Sequence, residues 1–362
     1  MDVQELLRYT VEKDASDLHL KAGNVPHIRV NGTLEPAPYD ELSPERTEAF
    51  AAELMPERKA KEFAETSEAD FSYAFEDVGR FRVNVFRQRG NVGIALRRIR
   101  TSIPTIEDLE LPPVVQTLSD MQRGLILVAG PTGTGKTTSI AAMIGHINRT
   151  RRCHIITMED PIEVVHEDEL SIVDQREVGI DTLSYAEGLR RVLRQDPDVI
   201  FIGEIRDPES MIAAIQAAET GHLVISTLHT IDATETVNRV VDLFPPQQQI
   251  EGRSSFAGAL EGIVCQRLVP LASGDGRIPA VEILVKTGRV FERIIDPKAT
   301  FSITDVIAEG EFYGMQTFEL ALVKLVQAGR ITEEDALKTT NHPHDFQLLL
   351  RGEMGGPRGR TD

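Results

Sequence analysis

The pattern of apolar and polar residues changes character after about residue 100. Before that point, apolar residues come in short segments bounded by turn-forming glycines and prolines. Apolar residues at helical spacing between Leu6 and Val11 predict a short amphipathic helix, and Ser43 before Pro44 predicts the start of another. Alternating segments predict strands at Leu18–Leu20, His27–Val30, Asp70–Phe75, Arg80–Phe86 and Val92–Ile99, with a turn at Asp77–Gly79.

From Gly124 onward, short apolar runs alternate with helix-like stretches. The apolar runs, typical of strands buried on both faces, are Leu125–Ala129, His154–Met158, Val199–Ile202 and Leu223–Thr227. The helix-like stretches between them include Thr137–Asn148, Tyr185–Arg194, Pro208–Glu219 and Thr234–Val241. Strand and helix in alternation predict an α/β fold with a parallel sheet and helices on both faces.

These patterns divide the chain into two predicted domains. Residues 1–100 form a smaller mixed α/β domain, and residues 116–350 form the larger α/β domain, which ends in helices such as Phe318–Gln327. Between them, residues 101–115 are predicted to be a linker because Thr101–Pro113 contains three prolines and little regular pattern. The tail, residues 351–362, is rich in Gly and Arg and is predicted to be disordered.

The sharpest chemical signal is a complete G-x-x-x-x-G-K-[ST] phosphate loop between a predicted strand and a predicted helix. Its glycines let backbone N–H groups surround an anion at a helix N-terminus. Lys136 is predicted to reach the β- and γ-phosphates of ATP, and Thr137 to offer its hydroxyl to Mg²⁺. The alternative is a glycine-rich turn with an incidental lysine. The predicted ATP-binding residues are Gly130, Pro131, Thr132, Gly133, Thr134, Gly135, Lys136, Thr137 and Thr138.

Two acidic groups follow predicted strands, at the end of the sheet where ligands bind in open α/β folds. The first group is Glu159, Asp160 and Glu163, and the second is Glu204, preceded by Gly203. A nucleotide site needs such carboxylates to hold Mg²⁺ and orient water. Because Gly203 stands where many P-loop enzymes have an Asp, the acidic role falls on Glu204. The alternative is that these acids only cap or solvate strand ends, which suits Asp160 best.

Histidines flank the predicted strand Leu223–Thr227, at His222 and His229. Such residues are often simply packed or hydrogen-bonded, and without a nearby cysteine or third histidine they do not predict zinc.

The composition of the whole chain excludes several classes of function and location. A net charge of −18 argues against broad nucleic-acid binding. Cys153 and Cys265 are too few for a disulfide framework, and the sequence has no signal or membrane-spanning pattern, so a cytoplasmic location is expected.

In this order, the motifs resemble those of the secretion-ATPase superfamily, and in particular the retraction ATPases of the type IV pilus. The quoted segments are GPTGTGKTT, ITMEDPIEVVHE, DVIFIGEIRD and GHLVISTLHTIDATETVNRVVDLFP, together with ASDLHLKAGNVPHIRVNG, RFRVNVFRQRG and GMQTFELALVKL. The resemblance covers nearly the whole chain. It implies a RecA-like P-loop motor domain preceded by a PAS-like domain.

In three features the chain resembles retraction motors rather than assembly motors: its short length, its early ASDLHL segment and its lack of a tetracysteine element. One segment departs from the family pattern. Where retraction ATPases carry an AIRNLIRE-like motif, Phe301–Gly310 reads FSITDVIAEG and lacks its arginines and asparagine. A pilus-assembly or type II secretion ATPase therefore stays open as an alternative, as do a nucleic-acid translocase and a non-catalytic nucleotide-binding scaffold.

The resemblance also implies a mechanism. Six copies form a ring, with Glu204 positioning Mg²⁺ through water, Glu163 polarising the attacking water, and His222 and His229 sensing the γ-phosphate or linking to the neighbouring subunit. Arginines supplied in trans stabilise the transferred phosphoryl group; the candidates are Arg80, Arg82 and Arg97, with Arg206 a lesser one. The alternative for these arginines is a solvated sheet face. The ring is expected to act on an inner-membrane platform protein, and through it on pilin, from the cytoplasmic face of the membrane.

Overall fold

The computed structural model describes residues 2–30, 32–75, 78–99 and 103–352. The chain forms two compact units: an N-terminal unit of residues 1–102 joined by 161–165, and a larger unit of residues 103–160 and 166–362, which is called the motor unit after the domain that the resemblance implies. Asp77 of the predicted turn, the first residues of the predicted linker, and tail residues 353–362 lie outside the described residues. The predicted domain bounds stay a prediction.

The N-terminal unit is built on one antiparallel sheet. Its elements are α1 (Val3–Glu12), β1 (Asp17–Lys21), β2 (His27–Val30), β3 (Thr33–Pro36), α2 (Pro44–Leu54), α3 (Glu57–Thr66), β4 (Glu68–Phe75), β5 (Gly79–Gln88) and β6 (Asn91–Ile99). The strand order is β3-β2-β1-β6-β5-β4, and all neighbouring strands run antiparallel. The sequence predicted most of these elements and missed β3 and α3, which carry few apolar residues.

Strand alternation gives this sheet one apolar face and one charged face. On β5, Phe81, Val83 and Val85 are fully buried in the core, while Arg80 and Arg82 point the other way. Helix α2 packs against β6. It begins as the sequence predicted, with Ser43 accepting a hydrogen bond from the backbone of Arg46 and Pro44 in the first turn.

The motor unit alternates strands and helices before ending in helices. Its elements are α4 (Pro113–Ser119), β7 (Gly124–Ala129), α5 (Lys136–Thr150), β8 (His154–Glu159), β9 (Ile172–Glu177), α6 (Tyr185–Val192), β10 (Val199–Ile202), α7 (Pro208–Glu219), β11 (Leu223–Leu228), α8 (Ala233–Asp242), α9 (Gln249–Ala259), β12 (Leu260–Pro270), β13 (Arg277–Val285), α10 (Gly288–Ile295), α11 (Ile303–Ala308), α12 (Phe318–Gln327), α13 (Glu333–Thr339) and α14 (Pro343–Leu350).

The motor sheet confirms the predicted α/β fold. Its strand order is β13-β12-β7-β11-β10-β8-β9, and every neighbouring pair is parallel except β12 with β13. Strands β7, β10 and β11 are buried along their whole length. Because a parallel sheet directs the carboxyl ends of its strands to one side, the segments after β7, β8, β10 and β11 lie at the same end of the sheet. Within the described residues, none of the helices combines the length and apolar character that crossing a bilayer requires.

Candidate nucleotide site

The loop between β7 and α5 has the conformation that its glycines permit. Gly130, Gly133 and Gly135 have φ angles of 148°, 83° and 87°, a region that other residues rarely adopt. Helix α5 begins at Lys136, directly after Gly135. The sequence therefore places a glycine at each position where the backbone turns sharply, and the turn delivers the chain into a helix N-terminus, which favours anions.

Lys136 is buried and lies within the loop. Its Nζ donates hydrogen bonds to the carbonyl oxygens of Gly130 and Pro131, at 2.6 and 3.0 Å. The Thr134 hydroxyl donates to the Pro131 carbonyl at 2.9 Å, which tightens the turn. Thr137, in the first turn of α5, is half-buried, and its neighbour Thr138 is exposed. One ammonium group and a set of backbone amides thus converge on the start of α5.

Glu204 follows β10 and is held by an arginine and a histidine. Arg206 Nη2 lies 2.6 Å from Glu204 Oε2, and His229 Nε2 lies 3.1 Å from Glu204 Oε1. Burial acts to raise the pKa of Glu204, but the hydrogen bonds and charges of Arg206 and His229 outweigh it and lower that pKa below its usual value. The carboxylate is therefore ionised at neutral pH, as a group that orients Mg²⁺ or water has to be.

The structure explains why a glycine precedes Glu204. A Cβ atom at Gly203 would lie 2.9 Å from the hydroxyl oxygen of Tyr185 and 3.2 Å from the carbonyl oxygen of Met158. Burial raises the pKa of Tyr185 far above its usual value, so the phenol stays protonated. The space that an aspartate would need is occupied by a neutral hydroxyl group, which leaves Glu204 as the acid at the end of β10.

The two acids at the carboxyl end of β8, Glu159 and Asp160, differ in their surroundings. Glu159 is buried, and its Oε1 accepts hydrogen bonds from the Thr157 hydroxyl at 2.7 Å and from the Gln175 amide at 3.1 Å. Asp160 is exposed. Glu159 therefore ties β8 to β9, whereas Asp160 is open to solvent at the strand end. The sequence placed Glu159 first in this acidic group but assigned it no role.

The two histidines lie at opposite ends of β11. His229 follows the carboxyl end of the strand and donates to Glu204. His222 precedes the amino end, where its Nδ1–H donates to the Ala217 carbonyl oxygen at 2.9 Å. With a rise of about 3.3 Å per residue, the strand separates them by roughly 20 Å. The structure thus brings His229 to the end of the sheet that carries the phosphate loop, and it does not bring His222 there.

Arg80, Arg82 and Arg97 belong to the N-terminal unit, and so does Glu163, because residues 161–165 group with it. Arg82 Nη1 lies 3.8 Å from Glu163 Oε1. Arg82 and Arg97 are paired in register on β5 and β6, and Arg80 lies two residues before Arg82 on the same strand. Two of the predicted site residues, Arg82 and Glu163, thus form an ion pair within the N-terminal unit.

Asp17 completes a polar row across the N-terminal sheet that the sequence reasoning missed. In register, the polar row runs Arg29, Asp17, Arg97, Arg82. Arg97 Nε donates to Asp17 Oδ1 at 2.8 Å. Burial acts to raise the pKa of Asp17, but hydrogen bonds from Ser16 and Arg97 and nearby positive charge lower it overall. A buried, ionised Asp17 therefore fixes the orientation of the exposed Arg97 side chain.

The residues present fit a magnesium nucleotide better than an all-protein metal site. Within the described part of the chain, no group of three or more His, Cys, Asp or Glu side chains is arranged to hold a metal ion. Mg²⁺ is commonly held by one or two protein oxygens together with substrate phosphates and waters. The Thr137 hydroxyl and the ionised Glu204 are oxygen groups of that kind.

Comparison with known proteins agrees with this geometry. Residues 2–300 match the family described as "Type II/IV secretion system protein". The chain is 42% identical over 351 residues to the "Type IV pilus ATPase PilU" of Pseudomonas aeruginosa, covering 97% of this chain and 92% of that protein. It is 42% identical over 346 residues to the "Type IV pilus retractation ATPase PilT" of the same organism, covering 96% and 100%.

A solved structure gives the same result for the fold. The crystal structure of the "Pilus Retraction Motor PilT and Bound ADP" superimposes with a TM-score of 0.87 at 44% identity, covering 95% of this chain and 98% of that one. At this coverage the match extends over both units. The chain therefore belongs to the type II/IV secretion system protein family.

Proposed function

We propose that this protein is an ATP-hydrolysing motor that powers retraction of a type IV pilus. The observation that carries the proposal is the arrangement at the carboxyl ends of the motor strands, where the phosphate loop follows β7 and Glu204 follows β10. Strands β7 and β10 are separated only by β11. At about 4.8 Å per strand, they lie roughly 10 Å apart, which leaves room for phosphates, Mg²⁺ and water between an ammonium and a carboxylate.

Each residue at this end of the motor sheet has a role that suits its chemistry. Backbone amides of the loop and Lys136 bind the phosphates, and the Thr137 hydroxyl with Glu204, the latter through water, holds Mg²⁺. The bound ion neutralises charge on the phosphates. His229 donates to Glu204 and links the acid to the segment after β11, so it senses the γ-phosphate. His222, at the other end of β11, is assigned to contact with a neighbouring subunit.

The N-terminal unit supplies the remaining groups. Glu163 polarises the attacking water. In a homohexamer, Arg97, Arg82 and Arg80 of one copy stabilise the charge on the phosphoryl group bound by the next copy. What supports this role is that the Arg97 side chain is 71% exposed while its anchor Asp17 is buried. An oriented but accessible guanidinium is what an arginine acting in trans requires.

The relatives supply the physiological context of the proposal. Proteins whose names include type IV pilus ATPase match this chain over almost its full length. The proposed location is the cytoplasmic face of the inner membrane. There the ring passes motion to a platform protein and, indirectly, to pilin. No nucleic-acid partner is proposed.

The test is phosphate release by the purified chain and by Lys136→Ala. We expect the variant to fall to background, at least about a hundredfold below the unaltered chain, because the ammonium that neutralises the phosphates is lost. Lys338→Ala is the matched control, since Lys338 lies on α13 and pairs with Glu334; its rate should be unchanged. Turnover by Lys136→Ala at the parental rate would contradict the site.

A second candidate function, pilus assembly or type II secretion, is favoured by the altered segment Phe301–Gly310. In the structure Phe301 is 78% exposed, while Ile303, Val306 and Ile307 of the same segment are buried. Imaging of surface pili in a deletion strain separates the two functions. Loss of a retraction motor leaves excess pili, whereas loss of an assembly motor leaves none.

A further inference from the structure

A buried glutamine lies beside the phosphate loop on a strand that the sequence did not predict. Gln266 is on β12, which pairs in parallel with β7, and it is 2% exposed. Its flanking sequence, Gly262-Ile-Val-Cys-Gln-Arg-Leu-Val269, is otherwise mostly apolar. A polar side chain in such a strand needs hydrogen-bond partners, because leaving a buried amide unpaired is costly.

Both ends of the Gln266 amide are paired with the phosphate-loop segment. Its Nε2–H donates to the carbonyl oxygen of Thr134, in the loop, at 2.8 Å. Its Oε1 accepts from the hydroxyl of Ser139, in the first turns of α5, at 2.8 Å. A carbonyl can only accept, so the donor end of the amide has to face Thr134. The orientation of the side chain is therefore fixed, and the amide spans from the loop to the helix.

Gln266 also occupies the space that two loop glycines leave open. A Cβ atom at Gly130 would lie 2.6 Å from the backbone oxygen of Gln266, and one at Gly135 would lie 2.9 Å from its Nε2. These are closer than real Cβ contacts. Gly130 and Gly135 are thus required both by their φ angles and by the close approach of β12.

We propose that Gln266 is a positioning residue that holds the phosphate loop in its nucleotide-binding conformation. An anion-binding loop turns its N–H groups towards the anion, so its carbonyl oxygens need donors on the opposite side. Gln266 supplies that donor for Thr134, and Ser139 holds the amide in place. This inference rests on the proposed function, because it assigns Gln266 to the same nucleotide site.

The experiment measures affinity for a fluorescent ADP analogue, the KM and kcat for ATP, and the melting temperature. Gln266→Met keeps the size of the side chain and removes both hydrogen bonds. We expect its dissociation constant and KM to rise about tenfold, with kcat within about threefold of the unaltered chain. Gln266→Glu places an oxygen against the Thr134 carbonyl and adds negative charge, so the loss of affinity should be larger, on the order of a hundredfold.

Gln316→Met is the matched control. Gln316 is also a buried glutamine of the motor unit with both ends paired, donating to the Val281 carbonyl oxygen at 3.0 Å and accepting from Lys324 Nζ at 3.2 Å. A general loss of packing should lower the melting temperature of both variants alike. Only Gln266→Met should also lose affinity for the analogue. Equal dissociation constants for the two variants would overturn the proposal.

Ser139→Ala keeps the test decisive if Gln266→Met folds poorly, because it removes only one partner of the amide. We expect a loss of affinity of about threefold, and no further loss when it is combined with Gln266→Met, because the two side chains act as one unit. Wild-type affinity in Ser139→Ala, or fully additive losses in the double variant, would contradict the proposal. If the unaltered chain bound no analogue, both this inference and the proposed function would fail.

Discussion

The two sheets of this protein carry their chemistry in different places. In the N-terminal sheet every neighbouring pair is antiparallel, one face packs on the core, and charged side chains stand in register across the other face, as in the polar row. In the motor sheet the central strands β7, β10 and β11 are buried along their whole length, so the functional groups near them lie in the segments that follow them. The difference follows from burial, since a strand covered on both sides has no room for a charged side chain.

Because of this difference, the two sheets can contribute different kinds of groups to a nucleotide site. The ends of the motor strands provide a loop, an ammonium and a carboxylate whose positions are fixed by the backbone. The polar row provides guanidinium groups on long side chains, oriented by buried Asp17 and able to reach outward. We therefore expect substitutions in the polar row to change catalysis more than stability, and substitutions behind the motor strand ends to change both.

The largest expected effect tests the polar row. Arg97→Ala should lower kcat about a thousandfold, with little change in nucleotide affinity, because an arginine that acts in trans contributes to the transition state. The control is Arg98→Ala on the same strand, whose side chain points to the opposite face and pairs with Asp14. Phosphate-release assays at saturating ATP measure the effect. Equal rates for the two variants would show that the polar row is only a solvated surface.

The sequence predicted the phosphate loop, Glu204 and most central strands because each depends on local residues. Glycines at the turning points and apolar runs of strand length are properties of a short segment. The sequence missed β9, β12 and β13. Strand β9 has only two apolar residues, Ile172 and Val173, β12 begins directly after α9 without a turn signal, and β13 follows β12 across a turn at residues 271–276 that the sequence reasoning did not use. It also missed Gln266 and Asp17, whose roles come from strand pairing. Only the fold brings Gln266 next to Thr134.

The next largest effect is expected at Glu282, a buried acid on β13, and it concerns the stability of the folded chain. Burial raises the pKa of Glu282 to about 7; the Ala233 N–H, which donates to it, and Arg267 oppose the shift, while Asp232 and Glu319 add to it. Below 4.5, the ordinary pKa of a glutamate, the acid is protonated in folded and unfolded chains alike. Between 4.5 and about 7 only the unfolded chain loses its proton, so the stability of the folded chain falls with rising pH.

Glu282→Gln removes this penalty and still accepts the hydrogen bond from Ala233. We expect the variant to match the unaltered chain in free energy of unfolding at about pH 4 and to exceed it by about 3 kcal/mol at pH 8. Urea unfolding at the two pH values measures the difference, and the other titrating groups cancel in the comparison. A gain that is the same at both pH values would exclude ionisation of Glu282 as its cause.

A smaller effect on stability is expected from a substitution at Gly203, the residue before Glu204. Gly203→Ala forces a Cβ atom against the Tyr185 hydroxyl and the Met158 carbonyl oxygen, and we expect it to lower the free energy of unfolding by about 2 kcal/mol. It should also lower turnover, because Glu204 follows directly. Removing the hydroxyl by Tyr185→Phe should recover part of the loss in the double variant. Strictly additive losses would show that the hydroxyl is not what excludes a side chain at Gly203.

The smallest expected effect tests the comparison of the two sheets through a helix cap in the N-terminal unit. Ser43 caps α2 of the N-terminal unit by accepting from the Arg46 N–H at 3.3 Å, and Ser43→Ala should cost about 1 kcal/mol of stability. Ser43→Asp keeps an acceptor and should retain most of that stability. Because no residue of the phosphate loop is involved, nucleotide affinity should stay at the value of the unaltered chain in both variants. A change in affinity would mean that the order of α2 influences the motor unit, and the two sheets would then have to be treated as one coupled system.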